Sequence, residues 1–232
     1  MSARLLPKEE RYRANFGEVS VQVFRDYSAT GSPAEVKRFC DALLKSPPPG
    51  WTATSRHESF VSGTYYNFFR PSSAELPAAT VALYVKDGSA NTAEVVNIVP
   101  DKEHELGIDR YNAILDEFVR FADPVANAHG LTTEATSSNA DITKWISGEA
   151  ARRLRSFSSL ANKSTGSGHP MDFERWTAFI IQVHRDKRRL GTDILGRYLV
   201  EVLGWDEKHA HDLVLEFEFG LALLEQYDNS GS

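Results

Sequence analysis

The chain changes its hydrophobic period once. Up to about residue 140 the apolar residues alternate or come in short β-branched and aromatic runs, and from Asp141 onward they recur every three to four positions. A single switch of this kind prescribes a sheet-forming portion followed by a helical one, which is an α+β architecture. The boundaries read as a sheet domain over 12–140 and a helical domain over 141–228 packed on it.

Within the first portion, "EVSVQVFRDY" (18–27) sets Val19, Val21 and Val23 in strict alternation, the mark of one half-buried strand. Ser32 then caps a helix with Pro33 at its first position, and Val36, Phe39, Cys40, Leu43 and Leu44 form its apolar stripe. "SPPPG" (46–50) ends it, since proline cannot continue a helix. Between Trp51 and Pro100 every run reads as strand, with a hairpin around "DGSANT". A second helix is expected with Asp109 as cap and Tyr111, Ile114, Leu115, Phe118 and Ala122 on one face, disrupted by Pro124. "GLTTEATS" (130–137) supplies a last strand. The order β-α-β-β-β-β-α-β describes an antiparallel-dominated sheet with two helices, on a ferredoxin-like plan. The strand around "FVSGTYYNFFR" is aromatic on both faces, with Phe60, Tyr66 and Phe68 on one side and Val61, Tyr65 and Phe69 on the other. Coverage of the second face by the helical half is the preferred expectation, because an open aromatic patch is a liability.

Four helical stripes follow. Trp145, Ala150, Leu154, Phe157 and Leu160 make the first, capped by Ser147. Phe173, Trp176, Phe179, Ile180 and Val183 make the second, capped by Asp172, with Asn162–Met171 an exposed connector before it. Ile194, Leu195, Tyr198, Leu199 and Val202 form the third, capped by Thr192 and closed by Gly204. The last runs from Asp206 through Leu213, Val214, Phe217, Leu221, Leu224 and Tyr227, and the terminal "DNSGS" reads as frayed.

Composition narrows the function classes. Hydrophobic content of 41% and charged content of 25% are those of an ordinary globular protein. One cysteine, Cys40, excludes an internal disulfide framework and points to a reducing cytoplasm. No apolar run approaches the roughly 20 residues that span a bilayer. The net charge of -6 argues against wholesale nucleic-acid wrapping. Yet residues 142–197 hold eleven cations against five anions, so a sector of +6 sits in a chain whose remainder carries -12.

That sector supplies the candidate binding residues. Arg152 and Arg155 share a helix face, as do Arg185, Arg188 and Arg189, and the guanidinium fork suits phosphate oxygens. Lys163, His169 and Arg175 surround the helix start after "NKSTGSGHP" and could hold an anion there. This is not a phosphate-binding P-loop, because its lysine precedes its glycines and a helix precedes both. The competing expectation is that the basic runs pair with Glu216, Glu218 and Glu225 of the last helix. His209 and His211, two apart on a helix, cannot share a metal ion, and the sequence has no HExxH, CxxC, GxGxxG or nucleophile elbow. No cofactor and no metal are expected. The first reading is a non-enzymatic cytoplasmic protein-interaction module of adaptor, antitoxin or immunity type, with a protein partner or a second copy of itself and no membrane. Two alternatives stay open: an anion or nucleic-acid binder through residues 144–197, and an enzyme with its site near 162–172.

Overall fold

The structure, a computed structural model, describes residues 20–60, 62–102 and 106–230. Val19, Val61, His104 and the last two residues of the tail lie outside the described residues. Two compact units emerge: Gln22–Ser138, and the chain from Asn139 together with Ser20 and Val21.

The first unit is a six-stranded antiparallel sheet with two helices. Its strands are β2 (Tyr27–Thr30), β3 (Thr52–Glu58), β4 (Gly63–Arg70), β5 (Ala79–Lys86), β6 (Thr92–Pro100) and β7 (Thr132–Ala135), in the order β3-β4-β5-β6-β2-β7. Helices α1 (Pro33–Lys45) and α2 (Ile108–Ala128) pack on one face. Alternation decides what they cover: Ala79, Val81, Leu83 and Val85 of β5 turn inward onto Phe39, Leu43, Ile114 and Phe118. The outward face carries no helix of this unit, and there Tyr65 and Tyr84 lie 4.8 Å apart across adjacent strands. A register shift between Ala82 and Leu83 leaves Val96 as an extra residue in β6, the arrangement of a β-bulge.

Sequence expectation and structure differ at three places here. The run 18–27 is not one strand but two, β1 (Ser20–Gln22) and β2, with residues 23–26 in neither. Asn112 causes the break: its side chain donates to the Val23 carbonyl at 2.9 Å and accepts from the Arg25 N–H at 2.9 Å, replacing sheet partners. The cap of α2 is Gly107 rather than Asp109, with no side-chain cap bond. Finally, α2 runs through Pro124 to Ala128. Ser32 does cap α1, in a reciprocal box with Glu35.

The second unit is helical apart from β1, which pairs with β8 (Asn139–Asp141). Its helices are α3 (Gly148–Leu160), α4 (Pro170–Asp186), α5 (Thr192–Arg197) and α6 (Glu207–Ser230). Ser147 caps α3 as expected. Gly191, not Thr192, precedes α5, which widens into a π-type turn over Tyr198–Val202 closed by the Leu203 N–H on the Tyr198 carbonyl. The core is aromatic: Phe157 lies 4.9 Å from Trp176 and 5.4 Å from Trp205, and Phe179 stacks on Phe217 at 5.7 Å. Three residues assigned to apolar stripes are exposed instead, namely Leu160, Phe173 and Tyr227. Among the described residues no helix is long and apolar enough to cross a membrane.

Candidate functional site

The expected connector before α4 forms an open cleft of about 690 Å³, bordered by Leu160 and Met171 and by Asn162, Thr165, His169 and Arg175. Most of the connector is exposed, although Gly166 and Ser167 are buried. Asp172 is not the cap. Pro170 already occupies the first helical position, where its missing N–H costs nothing, so the cap falls one residue earlier on His169. The His169 Nδ1 accepts from the Met171 N–H at 3.3 Å. Asp172 sits buried in the first turn, accepting from Arg175 Nη1 at 2.8 Å and from the Asn162 N–H at 3.5 Å. The cleft's cation is therefore already neutralised by a carboxylate.

Most of the remaining basic candidates have partners of their own. Lys163 turns away from the cleft, donating to the Leu203 carbonyl with its Nζ 6.0 Å from the Trp205 ring centre. Arg152 is held by Glu149 at 2.6 Å and Arg155 by Asp141 at 2.7 Å, with the Tyr198 hydroxyl accepting from Arg155 Nε at 3.1 Å. Arg188 donates to the carbonyls of Ile146 and Thr143 at 3.3 and 3.5 Å. Of the candidates, Arg185 and Arg189 are exposed without an ion pair or hydrogen bond among the described residues. The expected pairing with Glu216, Glu218 and Glu225 is absent among the described residues; Ser167 Oγ donates to Glu216 instead, at 2.7 and 2.8 Å. Arg152 and Arg175 are satisfied by carboxylates three residues away on their own helices, whereas Arg155, Lys163 and Arg188 reach partners 14, 40 and 42 residues away in sequence.

Metal and nucleophile chemistry gain nothing from the geometry. Among the described residues no three of His, Cys, Asp and Glu gather as a metal site. Burial pushes the Cys40 thiol up to about 12, with the Asp41 charge adding to it, so the thiolate form is suppressed. His184, 18% exposed, faces Asp228 at 2.8 Å, and His209 faces Asp206 at 2.6 Å; both serve to join elements or turn a helix start.

The sequence reading passed over a different surface. On α6 the side chains of Leu215, Phe219, Leu223 and Tyr227 are 50%, 70%, 55% and 74% exposed. They recur every four residues and lie roughly 130° around the helix from the buried Leu213–Phe217 line. A signal for this was present: "LVLEFEFGLALLEQY" holds more large apolar residues than one buried stripe can absorb. Sequence alone does not say which of them face the core. No family model matches this chain, nor does any curated protein or any solved structure.

Proposed function

We propose that the protein is an interaction module that binds another protein through the outer face of α6, within a reducing cytoplasm as its single buried cysteine suggests. The observation that carries this reading is the row Leu215, Phe219, Leu223 and Tyr227, each at least half exposed on one side of one helix. Scattered apolar residues on a surface are ordinary, but four large ones in line on a single face mark an interaction site. Amphipathic helices dock in this way, through anchors at helical spacing. The anion reading has less support, since Asp172 already neutralises Arg175 and Lys163 points elsewhere. The sheet order supports a ferredoxin-like plan whose central meander is longer by two strands, with β2 between β6 and β7.

The test is capture from the native host with the wild type and with a Phe219→Glu/Leu223→Glu variant. Both side chains are exposed, so the variant should melt as the wild type does. Loss of the captured partner in the variant alone supports the reading. Equal capture by both proteins overturns it.

A further inference from the structure

The far end of α4 from the cleft holds positive charge that no acid takes up. Arg185, Lys187, Arg188 and Arg189 fall within five consecutive residues there, and all four are exposed. Arg188 donates through Nη1 to the Ile146 and Thr143 carbonyls at 3.3 and 3.5 Å, which brings the turn Ile142–Lys144 alongside. Lys144, also exposed, joins the cluster from that turn, its Nζ 5.6 Å from the Trp145 ring centre.

The acids close to these cations are engaged elsewhere. Asp186 accepts from the Ser147 hydroxyl with one oxygen and from Gln182 Nε2 at 2.8 Å with the other. Glu149 is taken by Arg152 and Arg153 at 2.6 and 2.8 Å, and Asp193 reaches Arg197 at 3.9 Å. The side chains of Arg185, Lys187 and Arg189 have no ion pair or hydrogen bond among the described residues. Lys187 adds an independent sign. It ends α4 in the left-handed region, at φ 52° and ψ 27°, where glycine would sit without strain. A cation is held at a position whose backbone favours having no side chain at all, and strain of this kind gathers at functional sites.

The make-up of the cluster separates its possible occupants. Its apolar neighbours Ile146 and Leu190 are buried and Trp145 is half-buried, while Ile181, one turn back along α4, is 37% exposed. A protein interface needs an apolar core inside its polar rim, and a membrane-surface site needs apolar side chains to sink into the lipid. One aliphatic chain supplies neither. Single strands are held by stacking on open rings, which the cluster also lacks. Contact with a duplex backbone needs only cations, and the arginine fork matches its phosphate oxygens. Screening within about 8 Å at physiological ionic strength lets a local cluster act against the net charge of -6. We propose that Lys144, Arg185, Lys187, Arg188 and Arg189 bind the phosphate backbone of a nucleic-acid duplex without reading its sequence. This site is separate from the α6 row and does not rest on the interaction reading.

The experiment titrates the full-length chain into a labelled DNA duplex of about 20 base pairs, followed by fluorescence anisotropy. Four neutralised phosphates would make the affinity fall roughly a hundredfold between about 50 and 200 mM salt. Arg185→Glu/Arg189→Glu should melt as the wild type does and bind tenfold more weakly or worse. Lys187→Gly should melt higher, its backbone strain relieved, yet bind more weakly and with a salt slope shallower by about one contact. A merely structural lysine would not divide the two readouts in this way. Phe219→Glu/Leu223→Glu should bind the duplex as the wild type does. No binding at about 50 mM salt, or binding that Arg185→Glu/Arg189→Glu or Lys187→Gly leaves unchanged, overturns the proposal. Tighter binding to phosphatidylserine vesicles or to a polyglutamate peptide than to the duplex also overturns it.

Discussion

Arg70 is only 4% exposed, yet its guanidinium is fully occupied. Nε donates to Glu117 at 2.6 Å, Nη2 to Glu117 and Ser73 at 3.1 Å each, and Nη1 to the Pro71, Leu76 and Pro77 carbonyls. One side chain thus fixes the β4–β5 connection against α2. Arg70→Ala should cost about 3–5 kcal/mol in a urea melt, because it strands a carboxylate and three carbonyls. Asp172 gives a smaller case. Its removal uncouples Arg175 and the Asn162 N–H, so Asp172→Ala should cost about 2 kcal/mol, the scale of a hydrogen bond to a charged group. Lys163 changes category on the same grounds. A lysine on a helix-terminal carbonyl and over an indole should cost about 1 kcal/mol when replaced by alanine, above the range of a bare surface site. A Lys163→Ala melt coinciding with that of the wild type would refute the assignment.

At the scale of elements, legibility followed the length of the interaction. Ser32 and Ser147 were readable as caps because each bonds a backbone N–H three residues on. His169 was not, since imidazole is an unusual cap and Asp172, the conventional choice, was nearby. The break after β1 was invisible because its agent, Asn112, is 89 residues from Val23. Pro124 was read as a helix stop, but proline in a helix is a cost rather than a prohibition, and tertiary packing of Ala122 and Ala126 carries α2 past it. Pro124→Ala should therefore raise the stability of this unit, by about 1–3 kcal/mol if the restored N–H finds its carbonyl. The Ser32–Glu35 box adds a pH signature. Bonds from the Ser32 backbone and hydroxyl hold the Glu35 carboxyl below its ordinary value. A lowered folded-state value gives stability that is present above the unfolded value and lost as pH falls through the folded one. The gap between wild type and Glu35→Ala should thus close in acid and be widest near neutrality.

For the whole molecule, the charge asymmetry visible in the sequence has a different structural meaning from the one first attached to it. The cations of 142–197 are mostly spent on acids and carbonyls of their own unit, and Glu218 stands exposed beside the α6 row without an ion pair or hydrogen bond among the described residues. Together with the net charge of -6, that carboxylate opposes contact between two copies of the chain through the row. Repulsion between exposed carboxylates is screened within about 8 Å at physiological ionic strength and within about 3 Å at 1 M salt, whereas apolar attraction is undiminished there. The chain should sediment as a monomer at physiological salt and self-associate with rising concentration at about 1 M salt. Leu223→Glu should stay monomeric under both conditions, since it breaks the strip and adds a charge. Association that is equally strong at low salt, or that persists in Leu223→Glu, would mean that charge repulsion does not govern this face.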